Sequence, residues 1–248
     1  MIEVIDLYKS FDGQQVLKGI NLAIAKGEIL AVIGRSGGGK TVLLKHLLGL
    51  VRPDRGRVVV NRQDLAALTR KQLNQLRERF GVVFQGGALF DSLTVFENVV
   101  FPLQEKRLLP QTILAQKAED MLKQVGLADM GHKYPAEISG GMKKRVALAR
   151  ALITEPEILL FDEPTTGLDP IMVNAIHRLI LETHRQFGFT GIVISHEIPE
   201  IFAIATRVAM LHDGAIVEMG TPEEIQASSN PVVRQFIAGG IEGPIHPT

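Results

Sequence analysis

The chain has 248 residues, 46% hydrophobic and 22% charged, enough to bury a substantial core as one domain or as one domain with a subdomain. Its 27 Lys and Arg balance 27 Asp and Glu, so no basic footprint favours nucleic acid; the lack of cysteine excludes disulfides, thiolate metal sites and cysteine nucleophiles, and fits a reducing cytosol. No apolar run approaches the roughly 18 residues that cross a bilayer, and the N-terminus "MIEVIDLYKSF" has no signal layout, so a membrane role has to pass through a partner.

In chain order, "EVIDLYKSF" (3–11) and "GINLAIAKG" (19–27) read as antiparallel strands. "EILAVIG" (28–34), "FGVVFQ" (80–85), "EILLFDEP" (157–164) and "GIVISHE" (191–197) are short, β-branched and nearly continuously apolar. That pattern belongs to strands buried on both faces of a parallel sheet. Helical patterns follow three of them, over Thr41–Leu50, Pro170–Phe187 and Glu197–Thr206, which is α/β layering. Between Gln85 and Glu157 the rhythm changes. "QTILAQKAEDMLKQVGL" carries Leu114, Ala118, Met121, Leu122 and Val125 at helical spacing with no strand, so a helical subdomain is expected over about 86–156.

Within that subdomain "ISGGMKKRVALARAL" reads as a helix with Val146, Leu148, Ala149 and Leu152 inward and Lys143, Lys144 and Arg145 on a solvated face. Ser139 is an ordinary N-cap. Gly140 and Gly141 at the entry cost conformational entropy, so something needs bare backbone there. Further on, "RVAMLHDGAIVEM" reads as a hairpin turning at Asp213-Gly214. "TPEEI" opens a short helix with Thr221 as N-cap, Pro222 at the first position and Glu224 closing a capping box. Beyond about Phe236 the tail "FIAGGIEGPIHPT" is too rich in Gly and Pro for a helix. Its Ile237, Ile241 and Ile245 suggest a segment lying against a partner subunit.

The strongest chemical signal is "GRSGGGKT", which satisfies G-x-x-x-x-G-K-[ST] between an expected strand and an expected helix. Gly34, Arg35, Ser36, Gly37, Gly38 and Gly39 form a loop able to turn amide hydrogens toward phosphate oxygens at a helix N-terminus. Lys40 reaches the β- and γ-phosphates of ATP in this reading, and the Thr41 hydroxyl ligates Mg²⁺. A second signal is "ILLFDEP", whose strand delivers Asp162 at its C-terminal end, where open sheets bind ligands and where a carboxylate serves the same metal. Glu163, one residue on, can orient or activate a water.

Single residues are more ambiguous. Gln85 reads either as a polar strand terminus or as a contact to metal and water. His196 is either structural or a sensor of the γ-phosphate. Asp169, before Pro170, is an N-cap and can also serve the nucleotide. Phe11 is either core or an aromatic that stacks on the purine.

Taken in order, the P-loop, Gln85, "ISGGM", "ILLFDEP", "TTGLDP" and "ISHE" resemble an ATP-binding cassette (ABC) transporter ATPase, over nearly the whole chain. The resemblance implies a P-loop ATPase core over 1–236 with an N-terminal antiparallel β-subdomain, an inserted helical subdomain and a 237–248 tail. It makes Phe11 the adenine-stacking aromatic, Gly34–Thr41 Walker A, Gln85 the Q-loop and Ser139–Lys143 the signature. Asp162 becomes Walker B, Glu163 the catalytic base, Asp169 the D-loop and His196 the switch histidine. In this family the signature binds the γ-phosphate of ATP held by a second subunit. That implies a head-to-tail homodimer closed by ATP, reopened by hydrolysis, and coupled to integral membrane permease subunits at the cytoplasmic face of the inner membrane. Ser139 and the bare amides of Gly140 and Gly141 then supply the anion cradle.

A narrower resemblance is carried by "FQGGALFDSLTVFENVVFPL" (84–103), "ISGGMKKRVALARAL" and "NPVVRQFIAGGIEGPI" (230–245), and by Met142 where most cassettes have glutamine. These resemble the ATPases of MCE-associated phospholipid transport systems, which implies an MCE-domain lipid-binding partner. Phe11 for the commoner tyrosine, and Arg35 where proline is common, depart from the family pattern. Chromosome-maintenance ATPases separate P-loop and signature by long coiled coils, whereas Lys40 and Ser139 are 99 residues apart (139 − 40) with no heptad run. The remaining alternatives are a transporter ATPase for another solute and a soluble, non-transport cassette.

Overall fold

The computed structural model describes residues 1–105 and 109–246. They fall into two compact units, Met1–Arg77 with Thr190–Thr248, and Glu78–Phe189.

In the first unit, β1 (Ile2–Phe11) and β2 (Gln14–Ile24) pair antiparallel, as expected from the sequence. Ile2, Val4 and Leu7 of β1 and Leu17, Ile20, Leu22 and Ile24 of β2 are buried, giving this sheet an apolar face. β3 (Ile29–Ile33) is buried at all five positions and runs into the glycine loop and α1 (Lys40–Leu47). The sequence reading named no element between residues 51 and 79. The structure places β4 (Arg55–Val60), β5 (Gln63–Asp64) and α2 (Arg70–Arg77) there. Their signals are the apolar run at Val58–Val60 and the reciprocal Thr69/Gln72 bonds that open α2. The antiparallel sheet has the order β2-β1-β4-β5.

In the second unit β6 (Phe80–Val83) precedes three helices: α3 (Val95–Glu105), α4 (Gln111–Gln124) and α5 (Gly140–Leu152). All five residues expected on the inner face of α4 and its end, Leu114, Ala118, Met121, Leu122 and Val125, are buried. On α5 Val146, Leu148, Ala149 and Leu152 are buried as expected. Each fully buried leucine contributes roughly 1.5–3 kcal/mol. The Lys143–Arg145 triplet, in contrast, is not a solvated face. Lys144 is 8% exposed and Arg145 donates to the Val125 carbonyl at 3.1 Å, because α5 is enclosed on nearly all sides and its cations bond backbone carbonyls instead of water. β7 (Ile158–Asp162) pairs in parallel with β6, and α6 (Pro170–Phe187) has the bounds read from the sequence, with Asp169 as N-cap and Gly188 as C-cap.

The chain returns to the first unit as β8 (Thr190–Ser195), buried throughout and parallel to β3. The expected helix over Glu197–Thr206 is only a 3₁₀ turn at Glu200–Ala203, since Pro199 has no amide to donate and restricts the residue before it. β9 (Arg207–His212) lies parallel on the other side of β3, and β10 (Ala215–Gly220) completes the hairpin through Asp213-Gly214, both at positive φ. α7 (Pro222–Gln226) has the Thr221/Glu224 capping box. α8 (Pro231–Ala238) runs two residues past Phe236 before Gly239 ends it. The tail then folds back. The Gln235 amide donates to the Gly240 and Ile245 carbonyls and accepts from the Ile245 amide, so Ile245 is buried by its own chain while Ile241 stays 81% exposed.

Candidate functional site

Each compact unit gathers part of the expected site. In the first, β3 ends at Gly34, whose φ of 150° puts it outside the range of other residues; a Cβ there would stand 2.1 Å from the Leu211 carbonyl oxygen on β9. The loop closes with the Gly38 amide donating to the Arg35 carbonyl at 3.1 Å. Gly39, at φ 97°, is the N-cap of α1 and lies against Val16 and Leu17 of β2, so neighbouring strands hold the loop on both sides.

Lys40 is 4% exposed, and its ammonium donates to the Gly34 and Arg35 carbonyls at 2.7 Å each. Its charge therefore sits inside the mouth of the loop rather than in solvent. Ser36, Gly37 and Thr41 are exposed. A cleft of about 440 Å³ lies along residues 35–38, walled by His212 and Asp213 and by Pro244 and His246 of the tail. Arg35, where proline is common, donates to the His246 carbonyl at 2.8 Å.

His196 is exposed immediately beyond β8. Ile33 and Ser195 are register partners on β3 and β8, so Gly34 and His196 leave adjacent parallel strands at the same end. That is the edge at which open sheets bind ligands. Phe11, at the end of β1, is 43% exposed with the Lys9 ammonium 5.3 Å from its ring centre, which removes the core reading of this residue.

The second unit arranges its residues in the same way. Val83 and Phe161 are register partners on β6 and β7, and two residues beyond them stand Gln85 on one strand and Glu163 on the other. Gln85 is exposed; Asp162 and Glu163 are half-buried. Glu163 has a φ of +49°, a left-handed backbone that costs a non-glycine residue roughly 1 kcal/mol and recurs at functional positions. The Thr166 hydroxyl, on the following turn, donates to the Glu163 carboxylate at 3.1 Å. Asp169 is exposed and accepts from the Ile171 and Met172 amides at 3.0 and 3.1 Å, which realises its N-cap reading.

At the start of α5 the Ser139 hydroxyl accepts from the Met142 amide at 3.3 Å. Ser139 and Gly140 are exposed and Gly141 is buried. A Cβ on Gly140 would meet nothing nearer than Leu168 Cδ2 at 3.9 Å, whereas one on Gly141 would stand 2.3 Å from Met172 Cε. Among the described residues no three His, Cys, Asp or Glu side chains converge on a metal position. Two residues given no role from the sequence also bear on this region, Asn98 and Arg150, which bond the backbone after Gln85, and Lys144, expected on a solvated face, bonds the Gln85 carbonyl instead. A signal for Lys144 and Arg150 exists, as cations recurring within an otherwise apolar helix.

Comparison with known proteins gives a consistent outcome. The ABC transporter family profile matches residues 17–166. The intermembrane phospholipid transport system ATP-binding protein MlaF of Escherichia coli is 38% identical over 245 residues, covering 99% of this chain and 91% of the relative. The probable ribonucleotide transport ATP-binding protein mkl of Mycobacterium tuberculosis is 39% identical, over 98% of this chain and 68% of the relative. Among solved structures, the dimeric post-hydrolysis ATP-binding cassette MJ0796 bound to ADP and Pi superposes with a TM-score of 0.81 at 30% identity, covering 90% of this chain and 99% of that one. The cbiO1 cassette of Clostridium perfringens, part of the cbiONQ transporter complex, gives 0.85 at 32% identity, over 94% and 93%.

Proposed function

This chain belongs to the ABC transporter family and is an ATPase, and from that premise we propose that it is a motor subunit that pairs head-to-tail with a second copy and drives membrane permease subunits moving phospholipid between inner and outer membranes. The observation that carries the pairing is Gly140. It is exposed, helical and unconstrained by its own chain, so the demand for a bare amide comes from outside that chain. An ATP phosphate presented by a second subunit meets that demand, with the N-terminus of α5 favouring its negative charge.

The roles follow from chemistry. Amides of the 34–39 loop and Lys40 bind the phosphates, and Phe11 stacks on adenine. Thr41, Gln85 and Asp162 are hard oxygen donors of the type that suits Mg²⁺, which, when bound with phosphate oxygens, neutralises developing charge. Glu163 takes a proton from the attacking water, Thr166 orients that carboxylate, His196 holds the γ-phosphate, and Asp169 lines the nucleotide at the dimer interface. We assign the ATPase domain to 1–236, the coupling subdomain to about 86–156 and the tail to 237–248. Among the described residues no helix is long and apolar enough to cross a membrane, in keeping with a peripheral subunit held at the cytoplasmic face by its permease. Glu163→Gln is expected to lower ATP turnover by a factor of about 100 or more while ATP binding persists; unchanged turnover removes Glu163 from this role.

The cargo reading is supported by near full-length similarity to a phospholipid-system ATPase, and on that reading an MCE-domain protein accompanies the permease. A ribonucleotide transporter ATPase of comparable identity supports a second reading, a transporter for another solute. Affinity purification of this chain from detergent-solubilised membranes, with mass spectrometry of co-purifying proteins and lipids, separates them. A permease with an MCE-domain protein and phospholipid supports the lipid reading. A permease with a different solute-binding protein replaces the cargo, and no membrane partner overturns the transport reading.

A further inference from the structure

Several side chains of the Glu78–Phe189 unit bond backbone that nucleotide chemistry does not explain. Lys144 of α5, 8% exposed, donates to the Gln85 carbonyl. Arg150, on the same helix, donates to the Gly87 and Ala88 carbonyls at 2.7 Å each. Those two loop residues are both left-handed, at φ 75° and 46°, the second a strained value for alanine. A Cβ on Gly87 would stand 3.6 Å from Ala147 Cβ, so the loop backbone lies directly along the helix. Past it, the fully buried Asn98 of α3 accepts from the Phe90 amide and donates to the Phe90, Leu93 and Thr94 carbonyls at 3.0–3.1 Å.

Lys144 and Arg150 are separated by about 9 Å along the helix axis, at roughly 1.5 Å per residue. One grip would let the loop pivot; two grips set both its position and its direction. Removing a lysine ammonium from water is costly unless its donors are taken up, so a neutral donor would satisfy a loop carbonyl at less cost. The helix bearing both cations is the one that begins at Ser139.

We propose that Lys144 and Arg150 are positioning residues that fasten residues 85–88 along α5, so that engagement of the Ser139–Gly141 end of the helix sets where the Gln85 side chain stands. This rests on the roles proposed above for Gln85 and Ser139. The fastening transmits position rather than binding nucleotide. Its loss therefore slows turnover and leaves ATP affinity in place.

The test uses the full chain purified with its membrane partners, assayed at a temperature where circular dichroism shows each variant folded. Arg150→Met is expected to lower kcat per folded molecule roughly tenfold, with KM for ATP changed less than about twofold. The chain has no cysteine, so Gly87→Cys with Ala147→Cys creates a single pair whose Cβ separation suits a disulfide. The same pair with Arg150 intact measures the strain that a side chain on the left-handed Gly87 backbone adds by itself. In the Arg150→Met background the oxidised pair is expected to restore most of kcat, and thiol reduction to remove it again. An unchanged kcat in Arg150→Met, or an oxidised tether that restores nothing, overturns the proposal. If Arg150→Met does not fold, Lys144→Met is read by the same criteria. Gln85→Ala separates the two layers. If it loses turnover while Arg150→Met does not, only the fastening fails; if Gln85→Ala keeps full turnover, the role of Gln85 fails and the fastening falls with it.

Discussion

At Gly34 a Cβ would stand 2.1 Å from the Leu211 carbonyl, while at Gly140 it would find open space out to 3.9 Å. Both glycines belong to loops that open a helix, α1 in one case and α5 in the other. The phosphate loop needs its glycine for the fold itself, because neighbouring strands press on it and its backbone is left-handed. Gly140 is helical and unobstructed, so its own chain would accept alanine. A glycine that the fold does not need points to a partner that does.

Five substitutions probe that contrast further. Gly34→Ala should be the most damaging, since the atom it meets is backbone of β9; a loss of roughly 3 kcal/mol or more in urea unfolding is expected. A near-neutral result would mean that the loop can shift away from β9. Gly140→Ala should behave in the opposite way. Stability holds or rises by up to about 1 kcal/mol as the helix gains alanine, while ATP turnover drops on the order of 100-fold. Full turnover in Gly140→Ala would deny that a phosphate approaches this amide.

Gly141→Ala is intermediate, because the obstructing atom is the flexible end of Met172. About 1–2 kcal/mol of destabilisation is expected, and Met172→Ala should relieve most of it in a double-mutant cycle. Additive losses would remove Met172 as the cause. The smallest effect concerns the helix behind the phosphate loop. His46 on α1 is 1% exposed, its Nδ1 lies 2.7 Å from the Val42 carbonyl, and burial holds its pKa below the ordinary histidine value. The unfolded chain then takes up the proton first. This contribution is complete above about pH 6.5 and is lost as pH falls below it, by at most about 1.4 kcal/mol per pH unit. His46→Leu should flatten that part of the stability profile measured by urea unfolding; an unchanged slope would place the acid sensitivity elsewhere.

Much of this was legible because local chemistry and tertiary role coincide. β3, β7 and β8 announce themselves as continuous apolar runs since both faces are buried, and α6 carries both of its caps in Asp169 and Gly188. The expected Glu197–Thr206 helix shrinks to a 3₁₀ turn because Pro199 interrupts residues whose hydrophobic spacing is otherwise helical. Lys144 departs from its expected solvated face for a related reason. Its sequence neighbours are charged, and only the packing of α5 against the loop after Gln85 turns it inward.

By itself the sequence determined the two glycine loops, the carboxylates at a strand end and the helix caps, because each depends on residues within a few positions of one another. The tertiary structure decided which glycine is needed by its own fold, which cations are buried, and that the tail returns to Arg35 and Gln235. Those depend on what lies opposite in space, and strands, helices and loops distant in sequence supply it.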